Sequence, residues 1–308
     1  MNPDSKIPKV SVIIPTYNYG KYIEKAIDSI LTQTYQDFEI IVVDDGSTDN
    51  TREILDVKYK DKIRYFYQKN KGAPAARNFG LREVKGKFLV FLDADDWLMP
   101  TALASRYEYL INHTDCGWVY GPWYYHEESG KDVTERFRLY PFAYRKERKG
   151  NILRYLLLGE LMQTSTVMIA RELCLAVRGF DCNLPCLQDY ELWLRVAAQS
   201  PVGFIDECNV VVVTHQGSIS QSATDGYETR LKIMRQSEIM YPETIQKLGY
   251  KWKRKYAKVI AERGRHLVLK GNASGGGSLL IEAIKKDPFT PHHYLGFIRA
   301  LLSFLQRD

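Results

Sequence analysis

Residues 88–97 read FLVFLDADDW, five apolar residues running directly into a cluster of three carboxylates, Asp93, Asp95 and Asp96. An uninterrupted apolar run suggests a strand buried on both faces, the pattern of a parallel sheet covered by helices. Three like charges at its end are costly to desolvate unless something positive sits among them. A solvated turn would explain the aspartates equally well, since Asp is common in turns. The surrounding sequence decides between the two readings.

Upstream, KVSVII (residues 9–14) reads as a buried strand that Pro15 stops. Tyr22, Ile23, Ala26, Ile27, Ile30 and Leu31 recur at helical spacing and predict an amphipathic helix. FEIIVV (38–43) is a second strand, followed by DDGSTDNT, where Gly46 permits a tight turn and Ser47 or Thr48 can cap a short helix. IRYFY (63–67) is a third strand. APAARNFGL then opens a helix with Pro74 in its first turn, where a missing N–H costs nothing. KFLVFL (87–92) is the fourth strand. Strands and helices alternating through short loops predict an α/β fold with a doubly wound, mostly parallel sheet flanked by helices. Ligands of such sheets sit beyond the carboxyl ends of the strands. PTYN, DDGSTD and DADD all fall there, so three polar loops converge on one edge.

Further on, STVMIA (165–170) reads as a strand, and Leu192, Trp193, Val196 and Ala197 mark the core face of a helix in DYELWLRVA. VVVVTHQGSIS (210–220) is a last strand ending in a polar loop. From about Ser222 the pattern turns helical and charged, with a Gly/Ser hinge expected at GNASGGGS (271–278) between two helices that have the character of a helical-repeat unit. The expected division is a domain over 1–221, with a nucleotide-binding half at 8–100 and an acceptor half at 101–221. A C-terminal helical extension follows over 222–308.

Composition narrows the class. At 45% hydrophobic and 26% charged, the 308 residues suit a folded globular chain rather than a disordered one. A net charge of +6 suits anionic small molecules or an anionic membrane surface, and is too weak to argue for nucleic acid. Five scattered cysteines make no disulfide framework, and Cys182 and Cys186 lack the second pair that a zinc site needs. A reduced cytoplasmic setting is expected. MNPDSKIPKV lacks the apolar core of a signal peptide, and no run approaches the roughly 20 apolar residues that span a bilayer. There is no G-x-G-x-x-G after the first strand, which argues against a dinucleotide-binding site, and no P-loop.

A hard divalent cation, Mg²⁺ or Mn²⁺, best explains DADD, because it takes carboxylate and diphosphate oxygens together and removes their repulsion. Two carboxylates leave its shell incomplete, so weak binding is expected without nucleotide. Asp45, ending a neighbouring strand, is placed to accept hydrogen bonds from a base or ribose. Asp189 and Glu191 open a helix where the macrodipole favours carboxylates. Glu191 is expected to serve that structural role, and Asp189 to be either structural or a general base. His215 follows a strand at the sheet edge, within reach of a metal or phosphate or simply satisfied in the fold.

These pieces in this order resemble the family 2 glycosyltransferases, the inverting group with the GT-A fold. The resemblance runs through VSVIIPTYN, FEIIVVDDGSTDNT, NKGAPAARNFGL, FLVFLDADDWLMP, QDYELWLRVA and HQGSIS, covering roughly residues 8–220. It implies that Pro15, Thr16, Tyr17, Asp45 and Arg77 line a nucleotide pocket. It implies that Asp93, Ala94 and Asp95 form the D-x-D motif, with Asp95 the principal metal contact, and that Asp189 is the catalytic base. The family's paired Glu is Gln188 here, which removes a charge beside the base. The implied donor is a nucleotide-diphosphate sugar, UDP-sugar favoured, and the implied acceptor a glycan or lipid-linked saccharide in polysaccharide or cell-envelope assembly. The alternative is a catalytically silent nucleotide-sugar-binding scaffold. The basic run Arg145, Lys146, Arg148 and Lys149 reads as a solvated face more readily than as a lipid contact. Leu295, Ile298, Leu301, Leu302 and Leu305 share one face, for packing on the catalytic domain or a second copy in a homo-oligomer, or for peripheral contact with the inner membrane surface.

Overall fold

The computed structural model describes residues 7–128, 138–139, 149–215, 223–291, 294–295 and 297–298. The alternating first stretch comprises β1 (Val10–Thr16), α1 (Ile23–Leu31), β2 (Phe38–Asp44), α2 (Thr51–Lys58), β3 (Arg64–Tyr67), α3 (Ala73–Glu83) and β4 (Phe88–Phe91). Next come β5 (Trp97–Leu98), α4 (Ala102–Asn112), β6 (Trp118–Tyr120), β7 (Tyr124–Glu127), β8 (Arg138–Leu139) and α5 (Leu153–Leu158). A 3₁₀ turn (Thr164–Thr166) leads into β9 (Met168–Ala170), α6 (Arg171–Ala176), α7 (Gln188–Gln199), β10 (Val202–Phe204) and β11 (Val210–Thr214). The remaining helices are α8 (Ala223–Met240), α9 (Pro242–Leu248), α10 (Tyr250–Leu269) and α11 (Ala273–Lys286).

The principal sheet has seven strands in the order β10-β6-β9-β4-β1-β2-β3. Every pairing is parallel except those of β9, which runs antiparallel to β4 and to β6. The sheet is therefore mostly parallel and flanked by helices, with STVMIA supplying its reversed strand. Of that segment Met168–Ala170 forms the strand; Ser165 and Thr166 belong to the 3₁₀ turn. A second sheet orders β5-β11-β7-β8.

All of β1 and β4 is buried, as the apolar runs require. Ile23, Ala26, Ile27 and Ile30 of α1 close over one face in the same cluster as Val12, Ile14 and Val90. Each isoleucine so buried contributes about 1.5–3 kcal/mol, enough to make an interior charge there disruptive. Pro15 does not stop β1, which continues through Thr16 with Pro15 opposite Val43 of β2. Alternate residues of a parallel strand bond to opposite neighbours. Leu92 donates to the Ile13 carbonyl at 3.0 Å, so Pro15 faces the β4 side just where that ladder ends. No donor is missed there.

The chain divides into two compact units. The first takes Met1–Ile152, Leu161–Asn183 and Gln188–Ser218; the second takes Leu153–Glu160, Leu184–Leu187 and Ile219–Asp308. Within the second, the segment read as a Gly/Ser hinge is the first turns of α11, and its glycines permit close packing on α10. A Cβ on Gly276 would lie 2.6 Å from the Gly264 carbonyl oxygen and 2.5 Å from Val268 Cγ2. Asn272 caps this helix by accepting from the Gly275 N–H at 2.9 Å. Leu295 and Ile298 are exposed; Leu301, Leu302 and Leu305 lie outside the described residues, as do Arg145, Lys146 and Arg148. Among the described residues no helix is long and apolar enough to cross a membrane.

Candidate functional site

The three polar loops lie at the carboxyl edge of the sheet, and the first two are tied together. Asn18, in the left-handed region at φ 58°, accepts from the Thr48 amide at 2.7 Å and the Asp49 amide at 3.3 Å, while its own N–H donates to Ser47 Oγ at 2.9 Å. Ser47 and Thr48 thus hold the first loop instead of capping the helix. Asp49 takes over at the start of α2, accepting from Thr51 N at 3.0 Å, and also from Gly20 N at 3.0 Å. Asp44 closes its own turn through Ser47 N at 2.8 Å and takes the Tyr65 hydroxyl at 2.9 Å. Gly46 adopts φ 86°, and a Cβ there would lie 2.9 Å from the Asn70 amide nitrogen.

Asp45 is buried and accepts from Gln68 Nε2 at 2.6 Å, Lys71 N at 2.8 Å and Gly72 N at 2.7 Å. Those bonds use three of its roughly four lone-pair directions and fix the chain before α3. Pro15 and Thr16 are buried where β1 ends, Tyr17 is exposed, and Thr16 Oγ1 is buried with no hydrogen-bond partner among the described residues.

The carboxylates after β4 have separate fates. Asp93 pairs with Arg77 of α3, Nη2 to Oδ1, at 2.5 Å. Burial works against the Arg77 charge, but the attraction of Asp93, with smaller contributions from Asp189 and Asp95, outweighs it and raises its pKa. Arg77 Nε is buried without a hydrogen-bond partner among the described residues. Ala94 is buried between the two aspartates of the motif. Asp95 lies 3.1 Å from His215 Nε2, at the end of β11. Burial, then the charge of Asp93, pushes the Asp95 carboxyl up to about 6. His215 stacks on Tyr22 with ring centroids 5.0 Å apart.

Asp96 is interior. It accepts from Ser165 Oγ at 2.6 Å and from the Val213 amide at 3.0 Å, bolting the loop to the 3₁₀ turn and to β11. Burial, followed by the charges of Asp95 and Asp93, holds its carboxyl well above the ordinary range. Of the three carboxylates in DADD, one pairs with Arg77, one meets His215, and one is a buried structural acceptor.

Asp189 opens α7, with Oδ1 accepting from Tyr190 N at 2.8 Å and Oδ2 from Thr164 Oγ1 at 2.9 Å. Glu191 takes the structural role, bound to Arg195 Nε at 2.7 Å and Nη2 at 2.6 Å, while Arg195 also donates to the Gly179 carbonyl at 2.7 Å. The sequence reading did not single out Asn18, Thr164 or Ser165. Asn18 carried one usable signal, an Asn two residues past the end of a strand, where the left-handed region is tolerated.

Among the described residues, no three His, Cys, Asp or Glu side chains cluster as a self-sufficient metal site. Asp93 and Asp95 nevertheless offer hard oxygen donors, and burial, with the Asp93 charge beside it, works against a free negative charge on Asp95. That donor set fits a divalent cation whose coordination is completed by a diphosphate.

Residues 11–168 match the family described as Glycosyl transferase family 2. An uncharacterized glycosyltransferase of Rickettsia typhi is 34% identical over 228 residues, 74% of this chain and 71% of that protein. The chain belongs to glycosyl transferase family 2. It spans only about a third of the length of several other curated relatives, between 28% and 33%. The fold is that of S. aureus TarS residues 1–349 in complex with UDP-GlcNAc, with a TM-score of 0.62 at 19% identity, covering 97% of this chain and 92% of that one. The mannosyltransferase PcManGT of Pyrobaculum calidifontis, in complex with GDP-Man and Mn²⁺, aligns with a TM-score of 0.56 at 18% identity over 99% of this chain and 89% of that one. These likenesses establish the GT-A architecture.

Proposed function

We propose that the protein transfers a sugar from a nucleotide-diphosphate sugar, UDP-sugar favoured, to an acceptor hydroxyl with inversion at the anomeric carbon. The observation that carries this reading is Asp189, held by Thr164 at the start of α7 and electrostatically coupled to Arg77, whose guanidinium pairs with Asp93. Base and donor carboxylates thus share one neighbourhood. Asp189 takes the acceptor hydroxyl proton while that oxygen attacks the anomeric carbon. The bond from that carbon to the diphosphate oxygen breaks on the opposite face, so one displacement inverts the configuration. Thr16 Oγ1 at the end of β1, unpartnered among the described residues, suits a nucleotide hydrogen bond, and Asp45 holds the chain before α3 beside it.

Mg²⁺ or Mn²⁺, held by Asp93 and Asp95 with His215 beside them, would stabilise negative charge on the leaving diphosphate. The complexes of TarS with UDP-GlcNAc and of PcManGT with GDP-Man and Mn²⁺ support both the donor class and the cation. Residues 8–100 would bind the donor and 101–221 the acceptor, a glycan or lipid-linked saccharide of envelope polysaccharide assembly.

Thermal shift against UDP, GDP, CDP and dTDP and their sugars, with and without Mn²⁺, tests the donor; one nucleotide should raise the melting temperature in a Mn²⁺-dependent way. Asp189→Asn should cut turnover by orders of magnitude and leave that shift intact. Undiminished turnover in this variant removes Asp189 from the mechanism.

A further inference from the structure

The 3₁₀ turn at Thr164–Thr166 is a polar segment in the interior: Thr164 is 4% exposed and Ser165 fully buried. Its position follows from the reversed strand. Because β9 runs antiparallel to β4, the start of β9 lies beside the end of β4, with Met168 opposite Val90. A turn that precedes β9 therefore reaches the edge where its parallel neighbours deliver the loops that follow them.

Two successive residues of this turn face different halves of the proposed reaction. Thr164 Oγ1 donates to Asp189 Oδ2 at 2.9 Å. Ser165 Oγ donates to Asp96 Oδ2 at 2.6 Å and accepts from the Asp93 amide at 3.2 Å, gripping the loop at the first residue of the D-x-D motif and at the residue after its last. The turn is anchored from below. Arg106, fully buried on α4, donates to the Ser165 carbonyl at 3.2 Å and to Asn209 Oδ1 at 2.8 Å, and Thr166 Oγ1 donates to the Gln163 carbonyl at 2.7 Å. An arginine placed under a neutral carbonyl, with no carboxylate among its acceptors in the described residues, makes that carbonyl expensive to move.

We propose that Thr164 and Ser165 are positioning residues that form a single clamp, Thr164 orienting the base Asp189 and Ser165 setting the Asp93–Asp96 loop. The spacing between base and donor carboxylates is then fixed by one peptide unit instead of by two loops folding independently. This rests on the reading of Asp189 as the base.

The test uses the full-length protein and three variants. Turnover is followed as hydrolysis of whichever UDP-, GDP-, CDP- or dTDP-sugar the wild type cleaves fastest, and affinity as calorimetric binding of the matching nucleoside diphosphate with Mn²⁺. Thr164→Val keeps the shape and removes the hydroxyl. It should lower kcat roughly ten- to a hundredfold, the size of one lost hydrogen bond to a charged group, with diphosphate affinity unchanged. Thr164→Ser should restore kcat. Ser165→Ala should show the opposite split, weakening diphosphate and Mn²⁺ binding by a similar factor. Crystal structures should show Asp189 rotated in Thr164→Val and residues 93–96 displaced in Ser165→Ala. Wild-type kcat in Thr164→Val, no rescue by Ser, or equal loss of kcat and affinity in both variants overturns the clamp. If Asp189→Asn retains full turnover, or no nucleotide binds at all, the base or donor reading has failed. The clamp is then decided by the two structures, and an unmoved Asp189 together with an unmoved loop refutes it.

Discussion

Asp96 offers a sharp test of how the site is held, because its two oxygens serve two buried donors and nothing at the surface. Replacing it with alanine strands the Ser165 hydroxyl and the Val213 amide, which now donate at 2.6 and 3.0 Å. A buried donor left unsatisfied costs about 1–3 kcal/mol, so Asp96→Ala, which strands two, should lose about 2–6 kcal/mol. Asp96→Asn keeps an acceptor for Val213 and presents N–H groups to Ser165, whose hydroxyl can turn to accept. It should stay within about 1 kcal/mol of wild type. The pH dependence gives a second handle. Burial and the charges of Asp95 and Asp93 raise the folded-state pKa of this carboxyl, so the native protein retains a proton that the unfolded chain releases above about pH 4. Wild-type stability contributed by this group is therefore present below that value and is lost as pH rises through the folded pKa. The amide cannot titrate, so the difference between Asp96→Asn and wild type should move in favour of the variant as pH rises. Urea denaturation of all three proteins from pH 4 to 8 measures this. Equal destabilisation by Asn and Ala would show that the negative charge, not hydrogen bonding, holds the loop, and would refute the argument.

Glu191→Gln, which weakens the bond to Arg195, should cost about 1 kcal/mol in a denaturant melt and leave kcat unchanged, in contrast with Asp189→Asn two residues earlier. Gly276→Val places side-chain carbon against the Gly264 carbonyl, and overpacking of that kind should lower stability by about 1–3 kcal/mol without changing nucleotide affinity. Asn18→Ala loses the bonds to Thr48 and Asp49 and puts alanine at positive φ; thermal shifts with nucleotide should shrink more than the melting temperature of the unliganded protein falls.

The sequence legible at the outset was the part written in local pattern. Apolar runs located β1, β2 and β4, helical spacing located α1, and the core face of α7 is the quartet Leu192, Trp193, Val196 and Ala197, all buried. Edge convergence followed from the rule that parallel sheets bind ligands beyond their carboxyl ends. What the sequence concealed depends on partners distant in the chain. Asn18 finds its partners about thirty residues away, so its part in holding two loops has no local signature. Three consecutive glycines argue against a helix by propensity, yet the tight approach of α10 overrides that preference by a packing only glycine permits. Ser165 escaped notice because attention to loops that follow strands misses a turn that precedes a reversed one.

The bonds of the site have a temporal consequence. Arg77 meets Asp93 across 16 residues, but Ser165 reaches Asp96 across 69, Val213 reaches it across 117, and His215 reaches Asp95 across 120. Pairing at such separations comes late, since each must first overcome the entropy of closing a long loop. On a ribosome, the four parallel strands β1 to β4 can be complete while Asp95 and Asp96 still lack every one of those anchors. The acidic loop would acquire its final geometry only once residue 215 has emerged, so competence to handle a charged donor would arrive near the end of synthesis of the first unit, long after the sheet that carries it.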